Sequence, residues 1–176
     1  MSGPAHSADH SAILTEEVRS WIGRATELIP LPEEISASDV RRYVEATGDD
    51  NPLWIDDEAA RGAGYRRRVV PPMLVIELVW RLKHMESGRL TDRIPLPPEY
   101  TDTRNVNNEI EWVEPVYVSD RLSVRHCILD IMVRSGRRGT GVYITRETDY
   151  VRDDSCLVAR VRQSIARFPR ANVESP

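Results

Sequence analysis

A chain of 176 residues with 40% apolar content is long enough for one domain with its own core. Charged residues make up 30% and mix both signs to a net −4, which leaves no electrostatic footprint for nucleic acid or an anionic membrane. No run of about 18 apolar residues exists to span a bilayer, and the polar start Met1–Ser11 has no apolar h-region, so the expected location is the cytoplasm. Cys127 and Cys156 lie far apart, and His6, His10, His84 and His126 form no ligand spacing, so neither a metal nor a cofactor is expected.

Taken in order, Ile13, Leu14, Val18, Trp21 and Ile22 recur at helical spacing and predict an amphipathic helix from Ser11 to Gly23. Leu28–Pro32 is extended, because each proline removes a donor and pushes its predecessor out of the α region. A second helix is expected to start at Ser38, with Ser36 the competing N-cap and Asp39 suiting the helix dipole. Gly48 stops it. Asp50-Asn51-Pro52 is a turn, and Asp56-Asp57-Glu58 opens a short helix closing at Gly62–Gly64. From Pro72 to roughly Met85 apolar residues occupy nearly every side, the pattern of an enclosed helix.

Gly88–Thr103 has no periodicity and reads as a long connection. Strands follow. Glu109–Val118 alternates around Ile110 and Trp112 until Pro115 interrupts it. In Arg121–Val133 the apolar set changes phase, which places a bulge near His126–Ile128. Gly136-Arg137-Arg138-Gly139 is a turn, and Gly141–Val151 and Ser155–Phe168 form the last pair. Helices first and antiparallel strands after them give an α+β fold in which one long helix covers one face of the sheet. The domain is expected over residues 11–168 with an N-terminal helical extension, between tails at 1–10 and 169–176.

The stretch Gly48-Asp49-Asp50-Asn51-Pro52-Leu53-Trp54-Ile55-Asp56, followed by Pro71-Pro72-Met73-Leu74, resembles the MaoC-like (R)-specific enoyl-CoA hydratase and 3-hydroxyacyl dehydratase family. That family's pattern is G-D-x-N-P-x-H-x-D and, after a spacer, H-G-M-L at the start of its central helix. Asn107–Trp112, Pro115-Val116 and Ser119-Asp120 resemble the N-terminal half of double-hotdog hydratases, the type I fatty acid synthase-like dehydratase half. The resemblance covers about residues 35–168. It implies a hotdog fold, with an antiparallel sheet wrapped around a central helix at about residues 72–86. It also implies addition or removal of water at an enoyl or 3-hydroxyacyl thioester, acyl-CoA favoured over acyl-ACP. In the family an Asp/His pair activates water, and a backbone N–H at the helix start supports the thioester oxygen.

Three departures decide what this chain is expected to do. Asp49 matches the aspartate, but Trp54 stands at the histidine, and indole accepts no proton. Pro72 stands at the glycine that gives the N–H, and proline has none. Pro71 stands at the neighbouring histidine. By the family mechanism this pocket is dead, and Asp49 is vestigial. The expected role is the degenerate half of a heteromeric enzyme, widening the acyl pocket for bulky fatty acyl, polyketide or steroid side-chain thioesters. The implied partner is a short MaoC-like hotdog subunit with an intact Asp/His dyad, in a dimer or higher oligomer. The alternatives are a non-catalytic acyl-thioester-binding homodimer and an active dehydratase or thioesterase using Asp49 and Glu77.

The substrate-lining candidates are Asn51, Trp54, Pro72, Met73, Asn107 and Asn108. Glu77, a carboxylate within an apolar helix, is read as structural, with catalysis and simple exposure as the alternatives. Arg66, Arg67, Arg68, Arg137 and Arg138 either hold CoA phosphates or sit in solvated turns.

Overall fold

The computed structural model describes residues 10–78, 86–137 and 139–170. One five-stranded antiparallel sheet runs in the order β1-β3-β4-β5-β2. Its strands are β1 Ile29–Pro30, β2 Asp102–Trp112, β3 Leu122–Gly136, β4 Gly139–Arg152 and β5 Leu157–Phe168. The β3–β4 hairpin closes on Gly136 opposite Gly139, whose φ of 96° suits only glycine at low cost. A bulge between Ile128 and Asp130 takes up the phase change expected near His126–Ile128. It keeps Leu122, Val124, His126 and Ile128, then Ile131, on one face, all of them buried.

Helices cover that inner face: α1 Glu16–Arg19, α2 Ala37–Thr47, α3 Pro52–Ile55, α4 Asp57–Gly62 and α5 Pro72–Glu77. Leu74, Val75 and Leu78 pack with Val124, Tyr150, Ala159 and Val161 in one core cluster. The Tyr150 hydroxyl donates to the Ile76 carbonyl at 3.1 Å and fastens α5 to β4. A second cluster joins Ile13, Val18, Leu90, Ile94 and Tyr100 to Ile128, Ile131, Val142 and Ile144.

Four expectations are corrected. The N-terminal helix is two pieces: residues 10–13 are helical, and α1 restarts where Thr15 Oγ1 accepts from Val18 N at 3.2 Å. A side-chain acceptor there outcompetes continuation of the helix. Helix α2 begins after Ser36, not Ser38, because Ser36 and Asp39 satisfy each other's backbone N–H in a capping box. The expected connection holds a 3₁₀ helix, Glu86–Arg93, and its last residues already belong to β2. The polar run Asp102–Asn108 gives no strand signal because it lies exposed on an edge strand, where pairing to β5 decides its conformation. Finally, α5 is not enclosed all round, since Met73 is 46% exposed and Glu77 is exposed. The rest of the helix expected to residue 86 lies outside the described residues up to residue 85, and Glu86 belongs to the 3₁₀ helix.

The two edges of the sheet differ. On the β3 side, β1 and the segment before it close the edge: Gly23 N–H donates to Ile128 O at 2.8 Å and Thr26 N–H to His126 O at 2.9 Å. On the other side β2 presents eleven residues, nearly all exposed, with no strand beyond it among the described residues.

Candidate functional site

Helix α2 ends at Gly48, whose left-handed φ of 69° turns the chain so that Asp49 leaves the helix axis. The Asn51 side chain caps α3 by accepting from Leu53 N at 3.0 Å, and Pro52 occupies its first position, where the missing N–H costs nothing. This single turn brings Trp54 back over Asp49. The indole Nε1–H donates to Asp49 Oδ2 at 3.0 Å. Asp49 is thus met by a group that only donates, and no proton acceptor completes a dyad through that bond.

Beside this pair lies a cleft of about 260 Å³. Val70, Val75 and Val116, all nearly inaccessible, belong at once to its lining and to the first core cluster. Trp54 and Pro72 also line it, with Trp112 and Val113 still 44% and 45% exposed. Pro72 is the first residue of α5, and that helix start has no side-chain cap. Tyr43 packs against the same core, and its phenol is pushed above its ordinary pKa by burial and then by the Glu77 and Asp49 carboxylates.

Arg66, Arg67 and Arg68 each reach a carboxylate of this chain. Arg67 Nη2 reaches the buried Asp120 carboxylate at 2.8 Å and Arg66 at 3.3 Å, with Arg152 at 3.7 Å. Asp120 also accepts from Tyr117 N at 3.0 Å, and the Arg66 guanidinium lies 4.2 Å from the Tyr117 ring centre. Arg68 donates its backbone N–H to Asp57 at 2.8 Å, and its side chain lies 3.5 Å from the same carboxylate. Arg137 lines a separate hollow with Arg104, Arg134, Tyr143 and Phe168 at the far end of the sheet. Arg104 is eight residues along β2 from Trp112, roughly 26 Å in an extended strand. Arg138 lies outside the described residues.

The structure therefore gathers Asp49, Asn51 and Trp54 in one turn, with Trp54 and Pro72 in one cleft, and leaves Met73 and Glu77 exposed on α5. Asn107 and Asn108 sit on β2, both exposed and on opposite faces, paired with Ser164 and Gln163. Asn107 Nδ2 donates to Glu109 at 3.3 Å. Sequence reasoning missed the Asp120 hub and the cleft rim at Trp112–Val116. It also missed a polar row on the inner face made by His126, Arg146, Thr148 and Gln163. Alternation would have found that row, since these polar residues fall at inward positions of otherwise apolar strands. Among the described residues no cluster of three or more His, Cys, Asp or Glu is placed to hold a metal ion, and no helix is long and apolar enough to cross a membrane.

A family model described as FAS1-like, dehydratase domain region, matches residues 20–161. A relative from Thermomonospora curvata, named "Probable enoyl-CoA hydratase alpha subunit", is 27% identical over 165 residues, covering 87% of this chain. This chain spans 51% of that relative's length. Among solved structures, the ChsH1-ChsH2 complex from Mycobacterium tuberculosis matches with a TM-score of 0.75 at 22% identity, covering 89% of this chain and 96% of that one. A MaoC-like dehydratase from Rhodospirillum rubrum matches with a TM-score of 0.64 at 19% identity, covering 85% and 94%. The five-stranded sheet over its helix is thus the hotdog fold of MaoC-like dehydratases.

Proposed function

We propose, from the premise that this chain belongs to the FAS1-like dehydratase domain region family, that it is the degenerate subunit of a heteromeric MaoC-type hydratase or dehydratase. It shapes the acyl pocket while a second, short hotdog subunit supplies the Asp/His dyad. The reaction is addition or removal of water at an enoyl or 3-hydroxyacyl thioester, with acyl-CoA as the favoured carrier. The observation that carries this reading is the Trp54–Asp49 hydrogen bond, in which an N–H donor occupies the place of the base. Pro72 adds to it, since it removes the N–H that would meet the thioester oxygen at the helix start.

Two surface features support a partner. The β2 edge offers eleven residues of unpaired backbone on one side, a template for a strand of another chain. Met73, Ile55, Trp112 and Val113 are large apolar side chains left exposed, the last two on the rim of the cleft. The names of the relative and of the complex that this chain resembles, an alpha subunit and a two-component assembly, point the same way.

The test is co-expression with a short hotdog protein that carries an intact G-D-x-N-P-x-H and H-G-M motif. The pair is expected to co-purify and to hydrate an enoyl-CoA, and Asp49→Asn is expected to leave kcat within about threefold, while replacing the partner's motif aspartate abolishes turnover by ~10³-fold or more. Failure to co-purify with any such protein, or loss of turnover on Asp49→Asn, would overturn the reading.

A further inference from the structure

A hollow also lies on the face of the sheet turned away from the helices. Alternation puts Val142 and Ile144 of β4 and Ile165 of β5 toward the second core cluster. Tyr143, Ala166 and Arg104 form the register row between Val142 and Ile144, and so they face the other way. With Arg134, Arg137 and Phe168 they line a hollow of about 570 Å³. That volume falls within the roughly 300–1,000 Å³ of small-molecule sites. The cleft beside Trp54 is on the helix side, toward the other end of β2.

Two aromatic rings build this hollow. The centroids of Tyr143 and Phe168 are 6.3 Å apart with the planes at 78°, so one ring stands as a wall beside the other. Gly141 lets the Phe168 ring lie down on the strand, because a Cβ there would stand 2.6 Å from it. Unmatched charge lies next to the rings. Elsewhere on this face the arginines are matched: Asp149 takes Arg125 at 2.9 Å and Arg160 at 2.7 Å, and Glu147 takes Arg162 at 2.8 Å. Within the hollow Arg104 is matched by Asp102 at 2.8 Å. Arg134 donates to the Met132 sulfur at 3.7 Å and lies 5.4 Å from the Tyr143 ring centre. Neither Arg134 nor Arg137 meets a carboxylate among the described residues. Arg134 pairs with Gly141, and Arg137 sits in the turn that closes the same hairpin, so both cations lie on one side of the rings. Arg104 is three strand spacings from β3, roughly 14 Å, on the other side.

We propose that this hollow binds a free nucleoside diphosphate, at a site separate from the acyl cleft. The diphosphate takes Arg134 and Arg137, since a guanidinium offers phosphate oxygens two N–H groups at a time. The base stacks against Phe168 beside the Tyr143 wall. A bare anion would leave the rings unused, and an uncharged ring would leave two cations unmatched; a nucleotide uses both halves of the hollow. The sheet stands between this site and the cleft, and the run along β2 from Arg104 to Trp112 is roughly 26 Å. A nucleotide here and an acyl group in the cleft therefore bind independently, and the site does not depend on how the cleft is used.

Isothermal titration of the full chain with ADP tests this, with inorganic pyrophosphate and adenosine as the two halves of the ligand. ADP is expected to bind about tenfold more tightly or better than either half. Arg134→Met combined with Arg137→Met is expected to weaken ADP about tenfold or more; both side chains are exposed, so the variant folds. Phe168→Leu is expected to weaken ADP about fivefold and to leave pyrophosphate within about twofold. No saturable ADP binding, pyrophosphate as tight as ADP, or full ADP affinity in the folded arginine variant overturns the proposal. CoA carries the same nucleotide chemistry and is expected to bind no more tightly than ADP. CoA binding about tenfold more tightly, with the same loss in the arginine variant, would assign the hollow to the thioester carrier and overturn the free-nucleotide assignment. Crotonyl-N-acetylcysteamine, a thioester without a nucleotide, is expected to leave ADP affinity unchanged; displacement of ADP by it would place the nucleotide in the cleft and sink the proposal.

Discussion

Trp54 holds Asp49 by a 3.0 Å hydrogen bond from its indole nitrogen. Within this bond the carboxylate accepts from a group that neither gives up nor takes a proton at neutral pH. The bond closes a turn that Gly48, Asn51 and Pro52 have already set, so the frame is fixed by the backbone and not by catalysis.

Restoring the histidine alone is therefore not expected to restore the reaction. Trp54→His in the isolated chain returns a proton acceptor next to Asp49 but leaves Pro72 without an N–H at the helix start. Losing one such donor costs about 10²–10³ in kcat in enzymes that use one. Steady-state assays of Trp54→His with crotonyl-CoA are expected to stay at background. Turnover from this single change would show that the helix start is not needed.

Asp120 is a structural hub. It takes Arg66, Arg67 and Arg152 and the Tyr117 N–H in a site that is 6% exposed. Asp120→Asn leaves three cations facing an amide; because two of them reach water, the loss is expected at about 2 kcal/mol, below the usual range for a fully buried pair. Urea unfolding at neutral pH measures it, and a change under about 0.5 kcal/mol would show that the arginines are held by solvent alone.

Acid sensitivity is written into His126. Burial, and then the charge of Arg146, lowers its pKa from 6.5 to about 4. Its folded-state pKa lies below the unfolded value, so between these two pH values the unfolded chain binds more protons, and stability rises with pH across that window. The contribution is complete above pH ~6.5 and is lost as pH falls toward ~4, to a total of about 3 kcal/mol. Chemical denaturation at a series of pH values from 7 to 4 is expected to show this fall, and His126→Gln to flatten it. An unchanged slope in the variant would assign the acid sensitivity to other groups.

The elements with strong local signals were legible in the sequence. Gly48, Asn51-Pro52 and Asp56 each fix a cap or a turn by their own chemistry, and the bulge in β3 shows as a change of phase. What stayed hidden depends on long-range pairing. Asp102–Asn108 is a strand because β5 lies beside it, and its side chains are mostly exposed at an edge where polarity is tolerated. The commitment of Arg66 and Arg67 to Asp120, more than fifty residues away in the chain, leaves no local trace. That Trp54 stands where the family motif has histidine was legible through the resemblance, whereas its indole–carboxylate hydrogen bond to Asp49 needed coordinates.

On the proposed function, this chain has no working site of its own. The most direct measurement is the hydration of crotonyl-CoA and a longer enoyl-CoA by the purified chain without any partner. No turnover above the uncatalysed background is expected for the wild type, Asp49→Asn and Glu77→Gln alike. Turnover by the wild type that disappears in Glu77→Gln or Asp49→Asn would contradict it.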